Sequence, residues 1–158
     1  MLADLSVAAS ISKAPEIALE DLEGNTVKVA YSNAAATLVA FWATWCRSCR
    51  EDLPMFSKLV DAHGSAGFRV VAIALQSGKR DEVEAFLERA GVGKLPYPML
   101  MGDERTRVAF GDLEMVPTAF LVARNGDVLA TYAGESETAF ERLDADVRRF
   151  VAPPNAAQ

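Results

Sequence analysis

The stretch that most restricts how this chain can fold is "FWATWCRSCREDLP" at residues 41–54, which contains both cysteines of the sequence. It overlaps the continuous apolar run "TLVAFWA" at 37–43, which is typical of a central strand buried on both faces. Downstream, apolar residues recur every three or four positions, and this spacing predicts a helix that starts near Cys46. The stripe consists of Cys49, Leu53, Phe56, Val60 and His63. The sequence therefore predicts a strand, a short turn and a helix, with two thiols one helical turn apart at the start of the helix.

The rest of the chain alternates between predicted strands and helices. A hairpin is expected over 14–30, further strands at 68–76, 97–102, 118–123 and 128–133, and helices at 79–92, 103–111 and from about 138. The last two strands form a predicted hairpin with Asn125-Gly126 as its two-residue turn, and Thr138 with Glu141 fits a capping box. This order predicts an α/β fold of three layers, α/β/α, around a central mixed sheet with an N-terminal β-hairpin.

Length and charge limit the possible functions. The 158 residues fit one domain, expected over 14–151, with a poorly structured lead at 1–13 and a flexible tail at 152–158. The net charge of −6 argues against a nucleic acid partner, because phosphate binding needs a basic face. No apolar run reaches the roughly 18 residues of a membrane span, and residues 1–15 lack the pattern of a signal peptide. Either the protein works where it is made, or its export signal is not in this chain.

Three interpretations of the cysteine pair are open. A closed zinc site needs four ligands, whereas the chain offers one cysteine pair and the single histidine, His63, which is more simply explained as a packed or capping residue. A structural disulfide across so short a loop removes little chain entropy from the unfolded state and therefore stabilises the fold little. A redox dithiol fits the strand-then-helix context best.

The redox interpretation assigns different roles to the two thiols. Cys46 lies at the predicted helix N-terminus, where unpaired N–H groups and the helix dipole should lower its pKa below the free value of about 8.5. We expect Cys46 to be exposed and to attack a partner's disulfide, and the buried Cys49 to resolve the mixed disulfide. Arg47 and Arg50 add positive charge nearby, although a solvated helix surface explains them as well. Trp45, next to the nucleophile, is expected to line a docking surface.

These residues resemble the thioredoxin superfamily. "FWATWCRSCREDLP" is similar to its Phe-Trp-Ala-x-Trp-Cys-x-x-Cys stretch with the following proline, and "MVPTAFLV" at 115–122 is similar to its cis-proline loop. The segments "APEIALEDLEGNTVKV" and "YPMLMGDERTRVAFGDLEMVPTAFLVARNGDVL" resemble the TlpA/ResA-like branch, so the likeness covers about residues 14–150. The resemblance implies a thioredoxin-like fold and a cis Pro117 beside the cysteines. It also implies that the backbone of Val116 pairs with an extended substrate segment.

The chain departs from this pattern at three positions. Ser48 stands where the family often has proline, and Ala40 stands where many thioredoxins place a buried acid. Asp52 replaces the glutamate that the exported branch commonly has three residues after the second cysteine. We interpret Asp52 as a half-buried group that exchanges the proton of the resolving thiol. The alternative is an ordinary exposed acid near the start of the helix.

The sequence predicts a thiol-disulfide oxidoreductase, acting as a reductase of protein cysteines without a cofactor. The resemblance implies a periplasmic or otherwise exported protein, partners such as apocytochrome c thiols, and a membrane or soluble thiol electron donor. A cytoplasmic location is the alternative, and we expect a monomer. Two other functions remain open. A Cu(I)-binding metallochaperone on the same fold would use both thiolates as ligands, and a peroxiredoxin-like peroxidase would attack peroxide with Cys46.

Overall fold

A computed structural model describes residues 11–134 and 137–151, with only the backbone described at 137–140. Its strands are β1 (Ile17–Glu20), β2 (Thr26–Val29), β3 (Ala36–Trp42), β4 (Phe68–Ala74), β5 (Met99–Met101), β6 (Thr118–Ala123) and β7 (Val128–Ala133). Its helices are α1 (Arg47–His63), α2 (Arg80–Arg89), α3 (Glu104–Ala109) and α4 (Glu137–Val151). The predicted alternation of strands and helices is confirmed, with β4, β5, α2 and α3 shorter than expected.

Some predictions concern residues that this structure does not describe. The predicted tail at 152–158, residues 1–10 of the predicted lead and the side chain of Thr138 in the predicted capping box lie outside the described part. Lys13 forms an antiparallel bridge with Asp127, and the carbonyl of Ser12 accepts a hydrogen bond from the backbone N–H of Val128 at 2.9 Å. Pairing with the rest of the fold therefore begins just ahead of the expected domain start at residue 14.

Five strands form one mixed sheet in the described part of the chain, in the order β5-β4-β3-β6-β7. β3 lies at its centre, parallel to β4 and antiparallel to β6, and all seven of its residues are buried. β5 adds a parallel pair at one edge and β7 an antiparallel pair at the other. The predicted mixed sheet is confirmed, and the continuous apolar run does mark its central strand.

Two apolar layers cover the sheet because successive residues of a strand point to opposite faces. Leu38 and Trp42 of β3 pack in one cluster with buried side chains of α1, α2 and α4. Val39 and Phe41 pack in a second cluster with Phe110, which follows α3, and with residues of β1 and β2. The predicted three-layer arrangement is confirmed, with β1 and β2 as a separate two-stranded antiparallel sheet on the second face.

The hairpin between β6 and β7 has a different turn from the one expected. The N–H of Gly126 bonds to the carbonyl of Ala123 at 2.9 Å, so Arg124 and Asn125 are the central residues, not Asn125 and Gly126. Gly126 follows with φ of +92° in the left-handed region, and the Asn125 side chain accepts a bond from the N–H of Asp127 at 3.0 Å. A turn of this kind with one extra left-handed residue is the next alternative to a two-residue hairpin, so the expectation of a two-residue turn is wrong.

The helix α1 begins directly after Cys46 and carries Pro54 in its interior. Its buried residues are Cys49, Leu53, Phe56 and Leu59, of which Leu59 was absent from the predicted stripe. The helix ends at His63, whose ring packs edge-on against Phe68 and whose Nε2 lies 3.3 Å from Oδ1 of Asp144 on α4. This packed histidine agrees with the simpler of its two explanations. No helix within the described residues is long and apolar enough to cross a membrane.

Candidate active site

The two cysteines are joined by a disulfide bond at the start of α1. Cys46 is the N-cap residue of the helix, and its Sγ accepts a hydrogen bond from the backbone N–H of Cys49 at 3.3 Å. Serine, threonine, asparagine or aspartate usually fills this position with a side-chain oxygen. The first sulfur therefore lies where unpaired N–H groups and the positive end of the helix dipole concentrate, as the sequence predicts.

The two cysteines differ in exposure, although both are largely enclosed. Cys46 keeps 8% of its surface exposed and Cys49 keeps 1%. The predicted order is confirmed, but the expectation of an openly exposed Cys46 is wrong for this disulfide-bonded form. Its sulfur is bonded to buried Cys49 and lies 3.7 Å from the hydroxyl of Ser48, and both cysteines belong to the apolar cluster around α1. An attacking thiol can therefore reach Cys46 more easily than Cys49.

Two loops meet beside the disulfide because β3 and β4 are parallel neighbours, whose carboxyl ends lie at the same edge of the sheet. The hydroxyl of Ser77 accepts a hydrogen bond from the N–H of Thr44 at 2.9 Å and donates one to the carbonyl of Leu75 at 2.8 Å. The indole of Trp45 donates to the carbonyl of Gln76 at 3.0 Å, while 64% of Trp45 remains exposed. The loop after β4 thus fixes the residues that lead into Cys46 and presents Trp45 to solvent.

A groove lies next to these loops, at the segment that leads into β6. The peptide bond between Val116 and Pro117 is cis, as the resemblance implies. The groove encloses about 280 Å³, and Trp45, Gln76, Met115 and Val116 are among the residues that line it. Val116 is half-buried against the cluster that contains both cysteines, and Met115 is 53% exposed. Within the described residues, the backbone of Val116 makes no hydrogen bond to another backbone group.

Asp52 lies one turn beyond Cys49 on α1 and is half-buried. Burial raises the pKa of the nearby Tyr97 phenol, and the negative charge of Asp52 raises it further. The hydroxyl of Tyr97 donates a hydrogen bond of 2.7 Å to the carbonyl of Leu53, the residue after Asp52. Asp52 is therefore half-buried and directly precedes the residue of α1 whose carbonyl Tyr97 contacts.

The other charged and polar positions near the pair are simpler. Arg47 and Arg50 are exposed on the helix, which agrees with a solvated surface. Ala40 is buried in the same cluster as the cysteines, so this strand position offers the dithiol no carboxylate. Among the described residues, no group of three or more His, Cys, Asp or Glu side chains is arranged to hold a metal ion.

Sequence reasoning did not identify Gln76, Ser77, Met115 or Tyr97 as neighbours of the site. The first two follow β4, and a signal existed for them, because polar residues after adjacent parallel strands meet at one edge of a sheet. Met115 directly precedes the segment already singled out. No local pattern marks Tyr97, because its contact with α1 joins residues 44 positions apart.

The arrangement has the parts required for thiol-disulfide exchange. It holds a sulfur pair that can be bonded, a helix N-terminus that stabilises a thiolate on the first sulfur, and a partly buried carboxylate one turn away. It also presents an exposed aromatic, Trp45, directly before the more accessible sulfur.

Comparison with known proteins supports this chemistry. The sequence model of the AhpC/TSA family matches residues 11–131. A relative from Geobacillus thermodenitrificans, thiol-disulfide oxidoreductase ResA, is 31% identical over 125 residues, which cover 78% of this chain and 68% of that protein. Sporulation thiol-disulfide oxidoreductase A from Bacillus subtilis is 25% identical over 118 residues, covering 73% of this chain and 69% of the relative.

Solved structures have the same fold. The crystal structure of a thiol:disulfide interchange protein, DsbE, from Chlorobium tepidum superposes with a TM-score of 0.77 at 28% identity. The superposition covers 89% of this chain and 96% of that one. The predicted thioredoxin-like fold is thereby confirmed.

Proposed function

This chain belongs to the AhpC/TSA family and is a thiol-disulfide oxidoreductase with a Cys46–Cys49 pair, and on that basis we propose that it acts as a reductase of disulfides in exported proteins. The observation that carries the proposal is the position of Cys46. Its sulfur caps α1, accepts the N–H of Cys49 at 3.3 Å and is the more exposed of the pair. A thiolate formed there by reduction is stabilised by the helix and is reached first by a partner.

The reaction runs in two steps. The Cys46 thiolate attacks one sulfur of the substrate disulfide, forms a mixed disulfide and releases the other substrate sulfur as a thiolate. Asp52 takes the proton of the Cys49 thiol, and the resulting thiolate attacks Sγ of Cys46. The Cys46–Cys49 bond forms and the remaining substrate sulfur leaves. Two electrons pass from the dithiol to the substrate, so an external thiol donor must reduce the pair before the next cycle.

Substrate recognition takes place at the groove beside Cys46. An extended segment pairs with the free backbone groups of Val116 next to cis Pro117, as in the addition of a short strand. Trp45 supplies an exposed aromatic surface in the lining of the same groove. Because these contacts use backbone groups and one large ring, they suit many cysteine-containing segments and depend little on their side chains.

Protein oxidants of the thioredoxin superfamily usually carry a larger helical insertion between the cysteine motif and the cis-proline, and its absence from the described interval supports the reducing direction. The interval from Cys49 to Pro117 is fully described and contains the rest of α1, then β4, α2, β5 and α3. We expect a reduction potential nearer to that of thioredoxin, about −270 mV, than to that of the oxidant DsbA, about −120 mV. Equilibration with glutathione buffers measures it, and a potential near the DsbA value would reverse the proposed direction.

Capture of a trapped intermediate tests the substrate class. The Cys49→Ser variant should accumulate mixed disulfides through Cys46 when expressed in its native host, and Cys46→Ser is the matched control. We propose that the captured proteins are exported, and that they include apocytochrome c-type thiol substrates served by a monomer whose functional unit spans 14–151. If the variant forms no mixed disulfide under oxidising or reducing conditions, exchange with proteins is not its function.

Assays with other substrates separate the two alternative functions. Turnover with hydrogen peroxide well above turnover with a protein disulfide would favour the peroxidase. Tight Cu(I) binding combined with failure to cycle between dithiol and disulfide would favour the metallochaperone. We expect disulfide turnover to exceed peroxide turnover.

A further inference from the structure

Tyr97 is a buried phenol that makes a long-range contact with the helix of the cysteine pair. It precedes β5, is 7% exposed, and donates a hydrogen bond of 2.7 Å to the carbonyl of Leu53 on α1. Its ring packs edge-on against that of Phe56, one turn further along the helix. The phenol therefore contacts the turn of α1 that follows the cysteine pair.

This turn of α1 is short of backbone hydrogen bonds. Pro54 has no N–H, so the carbonyl of Arg50 loses the donor that a regular helix would supply. The carbonyl of Leu53 accepts hydrogen bonds from two side-chain hydroxyls, that of Tyr97 at 2.7 Å and that of Ser57 at 3.5 Å. A side-chain donor from another segment thus contacts α1 three residues after the carbonyl that Pro54 leaves without its helical donor.

Asp52 belongs to the same turn. Burial raises the pKa of the Tyr97 phenol, a hydrogen bond with Ser57 lowers it, and the negative charge of Asp52 raises it again. At neutral pH the phenol is protonated and acts as a hydrogen-bond donor, so it stabilises this turn without placing a second negative charge beside the carboxylate.

We propose that Tyr97 is a positioning residue for Asp52: its hydrogen bond to the Leu53 carbonyl holds the turn from which the carboxylate takes the proton of Cys49. This inference rests on the role proposed above for Asp52. It concerns only the second step, in which the Cys49 thiol gives its proton to Asp52 and attacks Sγ of Cys46. In that step the Cys46–Cys49 bond forms, the bond to the substrate sulfur breaks, and the substrate thiolate takes a proton from water.

An aromatic disulfide of the Ellman type separates the two steps in the full chain. The reduced protein releases one coloured thiolate when Cys46 attacks, at a rate that depends on reagent concentration. It releases a second when Cys49 resolves the mixed disulfide, at a rate that does not. A residue that positions Asp52 changes the second rate, whereas general loss of stability does not change the two rates selectively.

We expect Tyr97→Phe to slow the second release about fivefold and to leave the first within about twofold. This corresponds to about 1 kcal/mol at 1.36 kcal/mol per factor of ten, the usual size of one hydrogen bond. Tyr132→Phe is the matched control, because Tyr132 is also buried and donates to a carboxylate, that of Asp146, at 2.7 Å. The control should leave both rates unchanged, and an equal slowing by both variants overturns the proposal.

A measurement on the native side chain covers the case in which Tyr97→Phe fails to fold. With tyrosines labelled at the hydroxyl-bearing carbon, the Tyr97 signal should shift as the solution is acidified enough to neutralise the Asp52 carboxylate. Other carboxylates line the groove beside Tyr97, namely those of Asp21, Glu23, Glu84 and Glu88. Asp52→Asn is therefore the control: a shift that is lost in this variant supports the coupling, and one that persists unchanged overturns it.

A double-substitution cycle distinguishes this inference from the function on which it rests. Asp52→Asn alone should slow the second release, and adding Tyr97→Phe should slow it no further, because the two residues act through one proton transfer. If Asp52→Asn slows the release and Tyr97→Phe does not, or if the two effects multiply, only the positioning role fails. If Asp52→Asn leaves the second release unchanged, the proposed role of Asp52 fails, and the inference fails with it.

Discussion

At the scale of single residues, one side chain combines a structural and a chemical role. Cys46 caps α1 by accepting the N–H of Cys49, and it also provides the more accessible sulfur of the pair. The hydrogen bond from the N–H of Cys49 becomes stronger when the sulfur is a negatively charged thiolate, because charged acceptors form stronger hydrogen bonds than neutral ones. The same backbone geometry that starts the helix therefore favours the reactive state of the thiol.

The exposed indole of Trp45 gives a test of the docking surface. Trp45→Ala should lower kcat/KM for reduction of insulin, a protein disulfide, by about tenfold, because a central aromatic contact is lost. The rate with a small aromatic disulfide should change by less than about twofold. Val108→Ala is the control, since Val108 is also an exposed apolar residue but lies on α3 outside the groove. An equal loss for both substrates would show that Trp45 acts on the cysteines and not on docking.

The residues that sequence alone could identify are those whose roles depend on local geometry. The spacing of Cys46 and Cys49 after an apolar run defines both the helix start and the buried partner, and the structure agrees. The low exposure of Cys46 could not be predicted in the same way, because it depends on how the apolar cluster packs around the cysteine pair. The contact of Tyr97 with α1 likewise depends on how distant segments meet, which no local pattern encodes.

At the scale of elements, the parallel pair β3 and β4 positions the site. Their carboxyl ends bring the loop before Cys46 against the loop at Gln76 and Ser77, where hydrogen bonds of 2.9 and 3.0 Å connect the two. The sequence predicted both strands from their apolar runs, so the shared edge was within reach of sequence reasoning. The turn before β7 was not, since Asn125-Gly126 suits either of two hairpin types, and which of them forms depends on how β6 pairs with β7.

The chain passes very close to β4 at Gly102, between β5 and α3. A β-carbon at this position would lie 2.8 Å from the carbonyl oxygen of Ala74 and 2.6 Å from a methyl group of Leu75. Gly102→Ala should therefore lower the free energy of unfolding by about 1–3 kcal/mol, the usual cost of overpacking. Urea denaturation monitored by circular dichroism measures this.

Gly64→Ala is the control for that substitution. Gly64 has φ of −59°, and a β-carbon there would come no closer than 3.7 Å to Val60. The change should leave stability unaltered or raise it by about 0.4–1 kcal/mol, because alanine restricts the unfolded chain. Equal destabilisation by both substitutions would contradict the close approach at Gly102.

At the scale of the whole molecule, the two apolar layers enclose all three tyrosines to different degrees. Burial is the largest cause of a raised pKa at Tyr31, Tyr97 and Tyr132. The folded chain therefore holds its phenolic protons more tightly than the unfolded chain, in which a tyrosine ionises at about pH 10. The resulting stabilisation is complete below that pH and is lost as pH rises above it.

An alkaline titration tests this expectation. Tyrosinate absorbance should stay low through about pH 10 and then rise together with the loss of the far-ultraviolet circular dichroism signal, because the phenols ionise mainly as the chain unfolds. Ionisation of all three tyrosines at about pH 10 with unchanged circular dichroism would contradict the burial that the fold assigns to them.

The most direct test of the account is the pKa of the Cys46 thiol in the Cys49→Ser variant, measured from the rate of alkylation by iodoacetamide as a function of pH. The N-cap position predicts a midpoint below that of a free thiol, about 8.5, and below that of Cys49 in the matched Cys46→Ser variant. A midpoint at or above the free value, or alkylation of Cys46 no faster than that of Cys49, would contradict it.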